Sequence, residues 1–85
     1  MSTTTAKARP LHVIAAEISR DWTKPYFGAV PYINALHSIS SIDDKYWLEE
    51  GRDIVERFLA NCGKWRGETA RRVKAELKAM LAATS

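Results

Sequence analysis

The sequence predicts an all-α fold, a compact bundle of about four short amphipathic helices. Three observations carry this expectation. Apolar residues recur three and four positions apart along most of the chain; no stretch alternates with the period of two that a half-buried strand shows; and proline or glycine interrupts the pattern near each junction. At 85 residues there is room for one domain, which at this size buries about 60% of its unfolded surface.

Pro10 suits the first position of a helix, where its missing N–H is no loss, and Leu11, Ile14, Ala15, Ile18 and Trp22 then share one face, so a first helix is expected to about Thr23. Lys24 to Gly28 reads as a turn, because Pro25 disfavours helix in the residue before it. Pro31 opens a second helix with Tyr32, Ala35, Leu36 and Ile39 on one side, ending by Ser40. Ser41, three residues before Asp44, resembles a capping box, so a third helix is expected from near Ile42. In that helix Trp47, Leu48, Gly51, Ile54, Val55, Phe58, Leu59 and Cys62 fall within an arc of about 140°. Gly51 lies inside the arc and should let another helix come close, and Gly63 supplies the stop. From Glu68 a fourth helix carries Ala70, Val73, Leu77, Met80 and Leu81 as one stripe.

The expected organisation is a tail over 1–8, one helical domain over 9–82 and a short tail over 83–85, since the ends lack apolar periodicity. The hydrophobic share of 46% beside a charged share of 27% is that of a globular chain and excludes wholesale disorder. Cys62 is the only cysteine, so no intramolecular disulfide forms, and a lone thiol fits a reducing compartment; the cytoplasm is the expected location. No segment approaches the roughly 20 apolar residues of a membrane span, and none reads as a secretory signal.

The sequence carries no self-contained catalytic pattern, and the expectation is a protein that is not an enzyme and holds no cofactor or metal. Nucleophilic catalysis requires an activated thiol or hydroxyl, whereas Cys62 falls on an apolar face with no acid–base pair near it. His12 and His37 are too far apart in sequence to make a local ligand pair with Cys62, and zinc needs a third and usually a fourth ligand. Glu49, Asp53 and Glu56 lack calcium-loop spacing and are expected on the solvent side of the third helix.

The C-terminal quarter is basic: Lys64, Arg66, Arg71, Arg72, Lys74 and Lys78 stand against Glu68 and Glu76, a net of plus four. Glu68, Arg72 and Glu76 share one flank at four-residue spacing and are expected to compensate one another. Arg71, Lys74 and Lys78 share the other flank with no acid beside them. Such a row engages phosphates or an acidic protein, or is simply a solvated face. Trp65 and Arg66, in the preceding connection, are residue types that anchor interfaces. The candidate partner-binding set is therefore Trp65, Arg66, Arg71, Lys74 and Lys78, the expected partner another protein, and the alternative a small nucleic-acid-binding protein using the basic face of the last helix.

The run Lys24-Pro-Tyr-Phe-Gly-Ala-Val-Pro-Tyr32, with Ser41-Ile-Asp-Asp44 and Trp65-Arg-Gly-Glu-Thr-Ala-Arg-Arg-Val-Lys-Ala-Glu-Leu-Lys78, resembles a family of small uncharacterised proteins of actinobacteria and their bacteriophages. The resemblance spans most of Leu11 to Leu81. It implies a setting, that of a phage or prophage accessory protein acting on host machinery, and no chemistry.

Overall fold

The computed structural model describes residues 9–83, so the expected N-terminal tail over 1–8 lies outside the described residues. Helix α1 spans Leu11–Asp21 and buries Leu11, Ile14, Ala15 and Ile18, the face that the spacing predicts. Pro10 sits one position earlier than expected, as the N-cap residue, where its carbonyl accepts from the amides of Val13 and Ile14. The free amide of Leu11 donates to the Ser40 carbonyl at 2.9 Å, which ties the start of α1 to the segment after α2. Helix α2 spans Val30–Leu36 and carries Pro31 in its first turn. It is shorter than expected: beyond Leu36 the chain continues in turns, and Ile39 enters the core from one of them.

The largest departure from expectation follows. Instead of entering a helix at Ile42, the chain forms a small antiparallel hairpin, β1 (Lys45–Tyr46) paired with β2 (Glu49–Glu50), so the protein is mostly helical rather than purely all-α. Ser41 and Asp44 do bond reciprocally to nearby amides, but in a different register from a helix start. The Asp44 carboxylate accepts from the amides of Ser40 (2.8 Å) and Ser41 (3.1 Å), and the Ser41 hydroxyl accepts from Asp43 (3.0 Å). This closes a turn. Trp47 and Leu48, expected on the apolar arc of the third helix, form the two-residue tip of the hairpin and face solvent.

Helix α3 then spans Gly51–Ala60 and buries Gly51, Ile54, Val55 and Phe58. Its first amides are satisfied by the loop just described: Gly51 donates to the Asp44 carbonyl at 2.7 Å and Arg52 to that of Ile42 at 2.9 Å. Gly51 does permit a close approach, but what comes close is this loop and not the helix expected there. A Cβ built there would lie 2.7 Å from the Ser41 carbonyl oxygen and 3.0 Å from the Ile42 Cα. At the other end Asn61, not Gly63, is the cap residue, and its side-chain amide donates to the Arg57 carbonyl at 2.8 Å. Cys62 lies just past the helix and is buried.

Helix α4 spans Glu68–Ala83, one residue beyond the domain limit expected at 82, and buries Ala70, Val73, Leu77 and Met80, with Leu81 half-buried beside them. Gly67, at φ 114°, turns the chain into α4 and accepts the Arg71 amide through its carbonyl. Packing joins α2 to both α1 and α3, and α4 to both α1 and α3, around one apolar cluster. Among the described residues no helix is long and apolar enough to cross a membrane.

Candidate functional site

Of the five residues expected to bind a partner, Trp65 is the one the fold withdraws. Only 2% of it is exposed. Its ring stacks on Trp22 with centroids 5.9 Å apart and planes 9° from parallel, and it meets Phe58 edge-on at 6.3 Å. Its Nε1 donates to the Asp21 carboxylate at 2.8 Å, satisfying the polar tip of a buried indole. Trp65 is a core residue that locks the connection between α3 and α4 against the end of α1.

Lys74 is half-withdrawn. Its Nζ donates to the Trp65 carbonyl at 2.6 Å, so one of the three ammonium donors holds the connection while the charge stays at the surface. Arg66, Arg71 and Lys78 are exposed, and among the described residues none of the three has an ion-pair partner. Arg66, Arg71 and Lys74 line a shallow depression of about 320 Å³ whose floor includes Trp65 and Ala70. Lys78 extends the row by one further turn, giving roughly 10 Å of cationic helix surface from Arg71 onward.

The opposite flank of α4 is neutralised, but across helices and not within one. Arg9 grips Glu76 through two hydrogen bonds of 2.8 and 2.7 Å and reaches Glu17 at 2.9 Å, while Arg72 bonds the other Glu17 oxygen. The hydrogen bond from Arg9, then that from Arg72, hold the Glu17 carboxyl below the ordinary glutamate range. In place of the intrahelical compensation expected among Glu68, Arg72 and Glu76, Arg72 and Glu76 take partners on α1 and ahead of it, and Glu68 has no ion-pair partner among the described residues. Glu49, expected on the third helix, lies on β2 and accepts from Arg57 at 2.6 Å.

Burial pushes the Cys62 thiol up, with Lys74 and Lys78 pulling weakly the other way, so at neutral pH it stays a protonated core group and not a nucleophile. Ser19 and His37 make a surface hydrogen bond of 3.1 Å that links α1 to the end of α2. No cluster of histidine, cysteine, aspartate or glutamate able to hold a metal occurs among the described residues.

Two exposed features lie outside the five residues expected to bind a partner: Tyr26 and Phe27, aromatic residues of a connection expected to pack over helix ends, and the hairpin tip. Phe27 stands in solvent beside the partly exposed Tyr26, over whose ring Lys64 sits at 5.8 Å. Trp47 and Leu48 are 84% and 96% exposed. One signal could have located the hairpin: Asp53, two residues after Gly51, is the acid of the first turn of α3, and places the helix start well after Trp47. Compared with known families, curated proteins and solved structures, the chain matches none.

Proposed function

We propose that this chain is a non-enzymatic protein-interaction module, built on a compact helical bundle, that binds an acidic protein surface with Arg66, Arg71 and Lys78. In the setting that its sequence resemblance implies, it is a cytoplasmic accessory protein of a phage or prophage, and the acidic surface belongs to a host protein. The observation that carries this reading is the contrast between the two flanks of α4. Arg72 and Glu76 are used up in holding the fold together, whereas Arg66, Arg71 and Lys78 are left facing solvent without an acid. Unpaired charge of one sign on a rigid helix steers a partner of opposite charge and sets its orientation.

The test replaces Arg66, Arg71 and Lys78 together with Gln. Lys74 stays, because it holds the Trp65 carbonyl. Gln keeps helix propensity, so circular dichroism and the melting temperature should be unchanged. The expected result is slower association with the protein partner recovered from the host, by a factor that shrinks as salt rises. A different outcome identifies nucleic acid as the ligand: weaker binding across unrelated sequences, with the slope of log affinity against log salt reduced by up to about 3, at ~0.9 per duplex phosphate contact. Undiminished binding to every partner overturns the assignment of this face.

A further inference from the structure

The hairpin tip carries two costs that nothing within the described residues offsets. Trp47, the first residue of a two-residue hairpin loop, adopts φ 60°, a conformation that favours glycine or asparagine there and strains a bulky side chain. Trp47 and Leu48 also present two large apolar side chains to water side by side. Exposed acids flank them in the chain: Asp43 and Asp44 precede the hairpin, the Asp44 carboxylate bonded to the Ser40 and Ser41 amides, Glu50 lies on β2, and Lys45 is the one cation of the strands.

The basic depression has the complementary character, with Arg66, Arg71 and Lys74 at its rim, Trp65 and Ala70 in its lining, and a volume of about 320 Å³. Both features border α3, at opposite ends. The tip precedes Gly51, and the depression begins at Gly63, beyond Ala60, so about 15 Å of helix separates them. One molecule therefore cannot bring them together, but two can.

We infer that the Trp47–Leu48 tip docks into the basic depression of a second copy of this chain. The inference rests on the proposal that this face binds acidic surfaces, and it names an occupant for it. The indole of Trp47 enters between the guanidinium groups of Arg66 and Arg71, an arrangement that cation–π attraction favours, and the acids flanking the tip face Arg71 and Lys78. A single such contact leaves one copy's tip and the other's depression free, so association proceeds head to tail unless two copies exchange tips about a two-fold axis. A single tip buries less than a standard protein interface, so the contact is weak, concentration-dependent and sensitive to salt.

Sedimentation velocity on the full chain tests this directly. The weight-average mass should rise with concentration at low salt and fall back as salt is added. Trp47→Gly should abolish the rise and, by relieving the positive φ, raise the melting temperature, so lost association cannot be mistaken for lost folding. Arg66→Glu with Arg71→Glu should abolish it from the other side. Mixing those two variants leaves one intact tip and one intact depression, and should restore association that stops at a one-to-one pair. Iodide quenching gives a second readout, since Trp22 and Trp65 are buried and Trp47 alone of the three tryptophans is exposed; its quenching should decrease as copies associate. A chain that stays monomeric at every concentration, or self-association that survives Trp47→Gly, overturns the inference. A monomeric chain whose Arg66, Arg71 and Lys78 still govern binding of a host protein overturns only the self-contact and leaves the proposed function standing.

Discussion

Trp65 stands between Lys64 and Arg66 in a connection, and by composition alone it looks like an exposed anchor. Its surroundings reverse this. Trp22 from the end of α1 covers its face, Phe58 of α3 meets it edge-on, and Asp21 takes its only donor. Its backbone carbonyl, in turn, engages Lys74. Trp65→Phe keeps an aromatic ring in the stack but removes part of the indole and the hydrogen bond to Asp21. Because Asp21 is exposed, water re-solvates its carboxylate, and the main loss is packing plus about 1 kcal/mol for the bond. The expected destabilisation is roughly 1–3 kcal/mol, read from the urea midpoint at unchanged slope. A change under about 0.5 kcal/mol would place Trp65 at the surface after all.

At the scale of elements, the segment from Ser41 to Gly51 shows how one small residue redirects a chain. A helix beginning at Ile42 satisfies the apolar arc drawn from Trp47 to Cys62, yet the backbone of Ser41 and Ile42 instead packs onto Gly51, and the carbonyls of Ile42 and Asp44 cap α3. Gly51→Ala gains up to about 1 kcal/mol of helix propensity. It also drives a Cβ to 2.7 Å from a backbone oxygen that no side-chain rotation can move. Overpacking against backbone outweighs propensity, and the variant should lose about 1–3 kcal/mol in thermal or urea unfolding. Gly63→Ala is the control, because nothing lies within 4 Å of a Cβ there, and it should leave stability near the wild-type value. Equal behaviour of the two variants would contradict the packing described at Gly51.

Over the whole molecule, Arg9, Glu17, Arg72 and Glu76 join the start of the described chain to α1 and α4. Partly exposed pairs of this kind each contribute little, but Glu17 is shared by two arginines and its carboxyl is held low in the folded state. The unfolded glutamate titrates near about 4.3. A depressed folded value means that this contribution is fully present above that pH and is lost as pH falls through the folded value. Glu17→Gln should therefore be less stable than wild type at neutral pH. Its stability should also decline less steeply on acidification below about pH 5, with the two curves converging at the acid end. Denaturant midpoints across a pH series give both curves, and parallel curves would exclude Glu17 as a source of the acid dependence. The same network takes up Arg72 and Glu76 and leaves Arg66, Arg71 and Lys78 exposed without an ion-pair partner among the described residues, which is why the fold presents a basic face at all.

What the sequence by itself determined was the set of helical faces. Ala70, Val73, Leu77 and Met80, and likewise Leu11, Ile14, Ala15 and Ile18, are buried as their spacing predicts, because helical periodicity is a relation among residues at most four apart and is written locally. The exposed cations Arg71 and Lys78 of α4 were legible for the same reason, and Arg66 from its charge in a connection. Tertiary structure decided the rest. Whether Trp65 is an anchor or a core residue depends on Trp22, Asp21 and Phe58, and whether Arg72 and Glu76 are free depends on Glu17 and Arg9, up to 67 residues away. Whether Trp47 and Leu48 continue a helix or cap a hairpin turns on the space above Gly51. Burial of a residue outside a regular helix is set by what packs over it, and residues distant in the chain supply that packing only once the helices have come together.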